Sequence, residues 1–340
     1  MLECSTGRTE LNNNMLWCSL SGTGAEFDFK GRYASVTIAG DSTSLNKYDP
    51  NNQARIAIYV NGERIVDDMI DEPEKTYNII SNSVSGEYNV KIVKLSESLS
   101  SSFAIKEIRL DGTPEPVRKN GLIEFIGDSI TCGYGIDDEN KDHSYSTTTE
   151  DITKTYAFKT AEALGYGYSM VSFSGHGVLS GYTSEKINSE MTVPKYYNKI
   201  GHSNYSLLNG KNPDEIEWDF SRKPDIIVLN LGTNDSSYCQ NDSEKQSDFK
   251  LEYINFLKQI REKNPDSKIV CTMGIMGGTL FPVIESAVSD YKSESGDDKV
   301  YTMEFDIQSF SDGVCADYHP SEKTNTKASE KLVKFLKNII

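Results

Sequence analysis

From about Phe27 to Leu110 the apolar positions fall in short alternating runs: Tyr33 to Ile38, Arg55 to Val60, Tyr88 to Leu95 and Phe103 to Leu110. Alternation with a period of two buries one face of an extended chain, so each run predicts a strand. Val60-Asn-Gly-Glu63 adds a hairpin, because Asn-Gly tolerates the positive φ angles of a two-residue turn. No helical period precedes residue 115, and the pattern predicts an antiparallel β-sandwich of the jelly-roll kind. Thr113 to Gly121, with two prolines and a glycine, breaks the pattern and divides the chain into domains 1–115 and 116–340. Beyond it, strand-like runs at 122–126, 168–173, 225–231, 268–274 and 299–305 alternate with helical patterns near 155–164, 248–263, 282–292 and 325–339. That alternation predicts a three-layer α/β domain, a parallel sheet with helices on both faces. In the last helix Ala328, Leu332, Val333, Leu336 and Ile340 form an apolar stripe that should pack on the sheet.

Between about 176 and 220 lies a long segment with little periodicity, containing Tyr182, Tyr196, Tyr197, Tyr205 and Trp218. Loops this long in compact domains are usually functional, and the rings either wall a cleft or pack the loop onto the sheet. The formal charge is −16, from 51 acidic and 35 basic residues. No clustered basic face is evident, which disfavours nucleic acid and anionic membranes as partners. No stretch approaches the roughly 20 apolar residues that cross a bilayer, and the chain is expected to be soluble. Six cysteines without a C-x-x-C pair argue against zinc ribbons and dithiol chemistry. Cys4 and Cys18 are either a disulfide or free thiols, depending on the compartment.

Four short blocks close predicted strands or precede the final helix: Gly127-Asp-Ser129, Ser174-Gly175, Gly232-Thr-Asn-Asp235 and Asp317-Tyr-His-Pro320. Each alone is an ordinary turn, but together they supply the parts of an acyl-transfer site. Ser129 ends an apolar strand, where open α/β sheets gather reactive groups. A serine hydroxyl needs a positioned base to become a nucleophile. His319 can take that proton and return it to a leaving alkoxide. His176 follows Gly175 and is a candidate for the pocket wall. Cys132, three residues past Ser129, is read as a small apolar residue rather than a thiol nucleophile.

In this order the blocks resemble those of the SGNH hydrolases, over essentially all of residues 120–340. The resemblance implies an oxyanion hole made by the backbone N–H of Ser129, the backbone N–H of Gly175 and the side-chain amide of Asn234. It also exposes a departure: most members carry Asp three positions before the histidine, where this chain has Ala316, and the acid is Asp317. In an extended segment positions two apart face the same way, so the Asp317 carboxylate would reach His319. A backbone carbonyl is the alternative orienting group.

Gly7-Arg-Thr9, Leu16-Trp-Cys-Ser19, Gly24-Ala-Glu-Phe27, Ala57 to Glu63 and Ile108-Arg-Leu-Asp-Gly112 resemble the β-sandwich that precedes the catalytic domain in carbohydrate esterase family 2. That resemblance implies a secreted microbial esterase removing acetyl groups from plant cell-wall polysaccharides, with no metal and no cofactor. Its partner would be an acetylated polysaccharide or oligosaccharide. Tyr318 and Tyr238, beside the histidine and asparagine blocks, either offer rings to a sugar face or pack. The alternatives are a lipase or thioesterase on the same fold, or a non-catalytic glycan-binding protein.

Overall fold

The structure, a computed structural model, describes residues 2–46 and 48–340. Among the described residues nine strands form one antiparallel sheet: β1 (Ser5–Thr6), β2 (Thr9–Asn12), β3 (Met15–Cys18), β4 (Gly24–Gly40), β5 (Arg55–Val60), β6 (Glu63–Met69), β7 (Glu74–Lys94), β8 (Phe103–Leu110) and β9 (Glu115–Pro116). The order β2-β3-β8-β4-β7-β5-β6 is continuous, with β1 and β9 pairing on β4. β4 and β7 run 17 and 21 residues, long enough to curl the sheet over a core of Phe27, Val36, Ile38, Ile56, Ile58, Val90 and Ile92. Tyr33 to Ile38 and most of Tyr88 to Leu95 are therefore parts of longer strands, while Arg55 to Val60 and Phe103 to Leu110 coincide with β5 and β8. The hairpin forms as expected, with Asn61 and Gly62 at positive φ between β5 and β6.

The second sheet is parallel, with β10 (Leu122–Gly127), β11 (Gly167–Ser172), β12 (Ile226–Asn230), β13 (Lys268–Ile275) and β14 (Val300–Ile307) in the order β11-β10-β12-β13-β14. β12 is buried along its whole length, the mark of a strand covered on both faces. Among the described residues seven α-helices accompany the sheet: α1 (Ser129–Cys132), α2 (Tyr156–Leu164), α3 (Val193–Tyr196), α4 (Thr233–Cys239), α5 (Ser243–Lys263), α6 (Phe281–Ser295) and α7 (Glu322–Leu336). α5 and α6 share one apolar layer, while α2 and α7 share the other. Ala57, Val93 and Leu95 of the first sheet's segment pack into that second layer beside Ile123, Phe125 and Met170, so the curled sheet and the α/β layer share a core.

The chain leaves β10 toward β11 on one side and returns through β12 on the other. The crevice above this reversal, at the carboxyl ends of β10 and β12, is where open α/β sheets place their ligands. All six cysteines are buried and free, Cys4 and Cys18 included. Among the described residues no helix is long and apolar enough to cross a membrane.

Candidate active site

Gly127 ends β10 where a Cβ would meet Thr131 Oγ1 at 2.0 Å, so only glycine lets the chain turn there. The buried Asp128 caps the turn by accepting from Ile130 N–H at 3.0 Å, and Ser129 opens α1. Burial pushes Asp128 up to about 7, with Asp235 adding to the shift.

His319 follows a turn over Ala316–Tyr318, and its Nε2 lies 2.8 Å from Ser129 Oγ. Its Nδ1 lies 3.0 Å from the Ala316 carbonyl. A carbonyl only accepts, so Nδ1 carries the hydrogen and Nε2 is left to accept from the serine. Burial lowers His319 to about 4, against the opposing pull of the Ala316 carbonyl and Asp317. The imidazole is neutral at ordinary pH and able to act as a base.

The expected Asp317–His319 contact does not form. The segment is a turn, not an extended strand: Asp317 and Tyr318 sit at φ +47 and +62, so the two-apart rule fails. The turn is pinned by Ala316 N–H to Asp138 O and Asp317 N–H to His143 O, both 3.0 Å. The Asp317 carboxylate accepts from Tyr134 Oη instead, and the Tyr134 ring stacks on His319 with centroids 4.0 Å apart and planes 19° from parallel. Ala316, which occupies the position of the common acid, orients the histidine through its backbone.

Gly175 sits at φ +74, where a Cβ would meet Met191 Cε at 2.9 Å. Its carbonyl accepts from Tyr182 N–H at 2.8 Å. Among the described residues the N–H groups of Ser129 and Gly175 donate to no protein acceptor. The Asn234 amide, in the first turn of α4, donates to the His176 carbonyl at 2.9 Å and lies 3.4 Å from Asp128 Oδ2. Its second hydrogen is weakly engaged. Two free backbone donors and a half-committed amide beside a serine paired with a neutral histidine can stabilise an oxyanion.

The remaining expected contacts fare differently. His176 is 2 % exposed, so it is not part of a pocket wall. Its Nδ1 donates to Ser174 O at 2.9 Å and its ring packs on Phe173 and Tyr196. Tyr238 is half-buried against the α5–α6 layer with Lys245 Nζ 4.2 Å from its ring centre; it packs rather than opening a face. Tyr318 is exposed, with Lys141 over its ring. In the 176–220 segment Tyr196 and Tyr197 are buried and pack the loop onto the sheet, while Tyr182 and Tyr205 are exposed.

Sequence reasoning passed over Tyr134, Glu97 and Asp235. Asp235 accepts from the N–H groups of Val178, Leu179 and Ser180 at 2.7 to 3.1 Å, and burial raises it to about 6. Its place beside Asn234 was the available signal. Tyr134 and Glu97 carried none, since neither lies in a block.

Residues 125–325 match the GDSL-like Lipase/Acylhydrolase family, and residues 5–117 match the family described as Carbohydrate esterase 2 N-terminal. The cellulase/esterase CelE of Acetivibrio thermocellus is 29% identical over 331 residues, 94% of this chain and 37% of that protein's length. An acetylxylan esterase / glucomannan deacetylase of Cellvibrio japonicus is 25% identical, covering 98% of this chain and 88% of that one. Among solved structures, an acetyl xylan esterase from the rumen bacterium Butyrivibrio proteoclasticus superposes with a TM-score of 0.87 at 25% identity, over 98% of this chain and 94% of that one.

Proposed function

The chain belongs to the GDSL-like Lipase/Acylhydrolase family, and from that premise we propose that it is a serine esterase removing O-acetyl groups from plant cell-wall polysaccharides such as xylan and glucomannan. The observation that carries the reading is the 2.8 Å contact between Ser129 Oγ and His319 Nε2, with Nδ1 held by a backbone carbonyl. The curled sheet at 5–117 and the deacetylase relatives support acetate on a sugar over a fatty acyl group.

In the reaction Ser129 Oγ bonds to the acetyl carbonyl carbon as its proton passes to His319 Nε2. The carbonyl oxygen becomes an oxyanion facing the N–H groups of Ser129 and Gly175 and the Asn234 amide. When the C–O bond to the sugar breaks, the imidazolium returns the proton to the leaving alkoxide. Water, deprotonated by the same nitrogen, then releases acetate and regenerates Ser129. Asp317 has no direct part in these transfers; the Ala316 carbonyl keeps the tautomer. The exposed rings of Tyr318 and Tyr182, on the histidine turn and beside Gly175, offer faces for the apolar side of a pyranose. A polymeric wall substrate puts this activity outside the cell.

The test is acetate release from acetylated xylan and glucomannan by wild type and Ser129→Ala, alongside hydrolysis of acetyl and octanoyl model esters. Release by wild type, lost in Ser129→Ala, with acetyl preferred to octanoyl, is expected. Octanoyl preference would make the protein a lipase, and binding without hydrolysis would make it a glycan-binding protein.

A further inference from the structure

Glu97, on the segment that leaves β7 of the curled sheet, is fully buried beneath the Ser174–Gly175 turn. Its Oε2 accepts from the Ser174 N–H at 2.9 Å. On the other side of the same residue, the Ser174 carbonyl accepts from His176 Nδ1 at 2.9 Å, and the Gly175 carbonyl is taken by Tyr182 N–H at 2.8 Å. Three of the four backbone polar groups of this pair are thus committed. The fourth is the Gly175 N–H. In a planar trans peptide the N–H points opposite the preceding carbonyl, so fixing Ser174 O toward His176 fixes the Gly175 N–H in the reverse direction.

Glu97 is itself held rather than free to follow the turn. Its N–H donates to Glu150 Oε2 at 2.8 Å, and its carbonyl accepts from the buried Lys94 Nζ at 2.7 Å. Cys132 Sγ, in the helix that Ser129 opens, lies 3.8 Å from the same Oε2 and 3.2 Å from Ser172 Oγ at the end of β11. The carboxylate therefore stands where the nucleophile's helix, the end of β11 and the oxyanion turn meet, yet it comes from the other sheet.

We propose that Glu97 is a positioning residue for the oxyanion hole: the curled domain supplies the acceptor that fixes the Ser174 N–H, and with it the place of the turn whose Gly175 N–H is aimed by the Ser174 carbonyl's bond to His176, and the catalytic site is incomplete without it. The inference rests on the reading of Gly175 N–H as an oxyanion donor. Burial raises the Glu97 carboxyl above its ordinary range, while the Ser174 N–H and Lys94 favour the charged form, which makes the shorter and stronger bond to that N–H. A donor aimed at the oxyanion contributes mainly where charge develops, so its loss lowers kcat more than it raises KM.

The experiment measures kcat and KM for an acetyl ester on the full chain, per mole of folded protein, for wild type, Ser129→Ala, Glu97→Ala, Glu97→Gln and Lys91→Ala. Glu97→Ala should lower kcat about 100-fold, the scale of one lost oxyanion donor, with KM moved less than about threefold. Glu97→Gln keeps an oxygen acceptor and should recover to about three- to tenfold below wild type. Lys91→Ala breaks another contact between the two sheets' domains, to Glu162 at 2.9 Å, and should lower stability while leaving kcat of the folded enzyme unchanged. Should Glu97→Ala fail to fold, the loss of kcat at constant KM in Glu97→Gln carries the test. Wild-type kcat in a folded Glu97→Ala or in Glu97→Gln would overturn the inference, as would a Glu97→Gln no better than Glu97→Ala. Activity surviving in Ser129→Ala would instead overturn the proposed nucleophile, so the two failures are separate.

Discussion

One residue separates Asp317 from His319, and the backbone across it decides which group orients the base. With Asp317 and Tyr318 both left-handed, the carboxylate turns to Tyr134 and the Ala316 carbonyl takes Nδ1. Asp317→Ala is expected to lower kcat by less than about tenfold, against the roughly 10,000-fold lost when an acid that holds the histidine is removed. Steady-state kinetics on an acetyl ester checks it. His319 also sets the pH dependence. Its value in the folded chain is depressed to about 4 from 6.5, so the neutral form is favoured by the fold. That contribution to stability is full above about 6.5 and is lost as pH falls through about 4. The acid limb of kcat/KM should accordingly lie near 4, and a profile that halves near 6.5 would contradict the burial argument. Ser129, Gly175 and Asn234 stood out because each sits in a short block at a strand end, and His319 because its block precedes the last helix. The role of Asp317 was misread because side-chain direction depends on φ and ψ, which the spacing of residues does not give.

At the level of elements, the alternation of apolar runs located all five parallel strands and the four longer helices, since a period of two or 3.6 survives in any buried face. What it missed was short or irregular. β1 to β3, the single-turn α1 and the seven-residue α4 are too brief to show a period, and the long curled strands appeared only as their most regular segments. α4 is the consequential omission, because its first turn carries both Asn234 and Asp235. The Asp235 carboxylate ties α4 to the 178–180 loop through three backbone N–H groups. Asp235→Ala leaves three backbone donors unpaired, of which the buried Val178 and Ser180 N–H groups cost about 1–3 kcal/mol each. Denaturant unfolding should show that loss, together with a lower kcat from the displaced Asn234. Gly175→Ala is a sharper test of the oxyanion turn. At φ +74 and 2.9 Å from Met191 Cε a methyl group is strained and crowded, so the turn must shift. Turnover should fall roughly 100-fold, as for a displaced oxyanion donor, while the thermal transition moves only modestly.

The molecule as a whole is held across its two sheets by buried charge as well as by the shared apolar layer. Arg8, between β1 and β2, has no exposed surface. Its guanidinium meets Glu124 of β10 at 3.1 Å and the Tyr197 and Lys199 carbonyls, and it lies over the Tyr197 and Phe220 rings. A sequence gives no sign of such a contact, because its partners lie more than a hundred positions away. Removing one partner of a buried pair leaves the other charge uncompensated, and Arg8→Ala should cost about 3–5 kcal/mol of stability. Because the α2–α7 layer includes residues of the curled sheet's segment, wild type should melt in one transition observed equally by tryptophan fluorescence and circular dichroism. Two separated transitions would show the domains to be independent. The central claim concerns a covalent bond. Rapid quenching during turnover of an acetyl ester, followed by proteolysis and mass spectrometry, should find an acetyl group on the peptide containing Ser129 in wild type and no such adduct in Ser129→Ala. An acetyl group on a different residue, or undiminished turnover by Ser129→Ala, would contradict it.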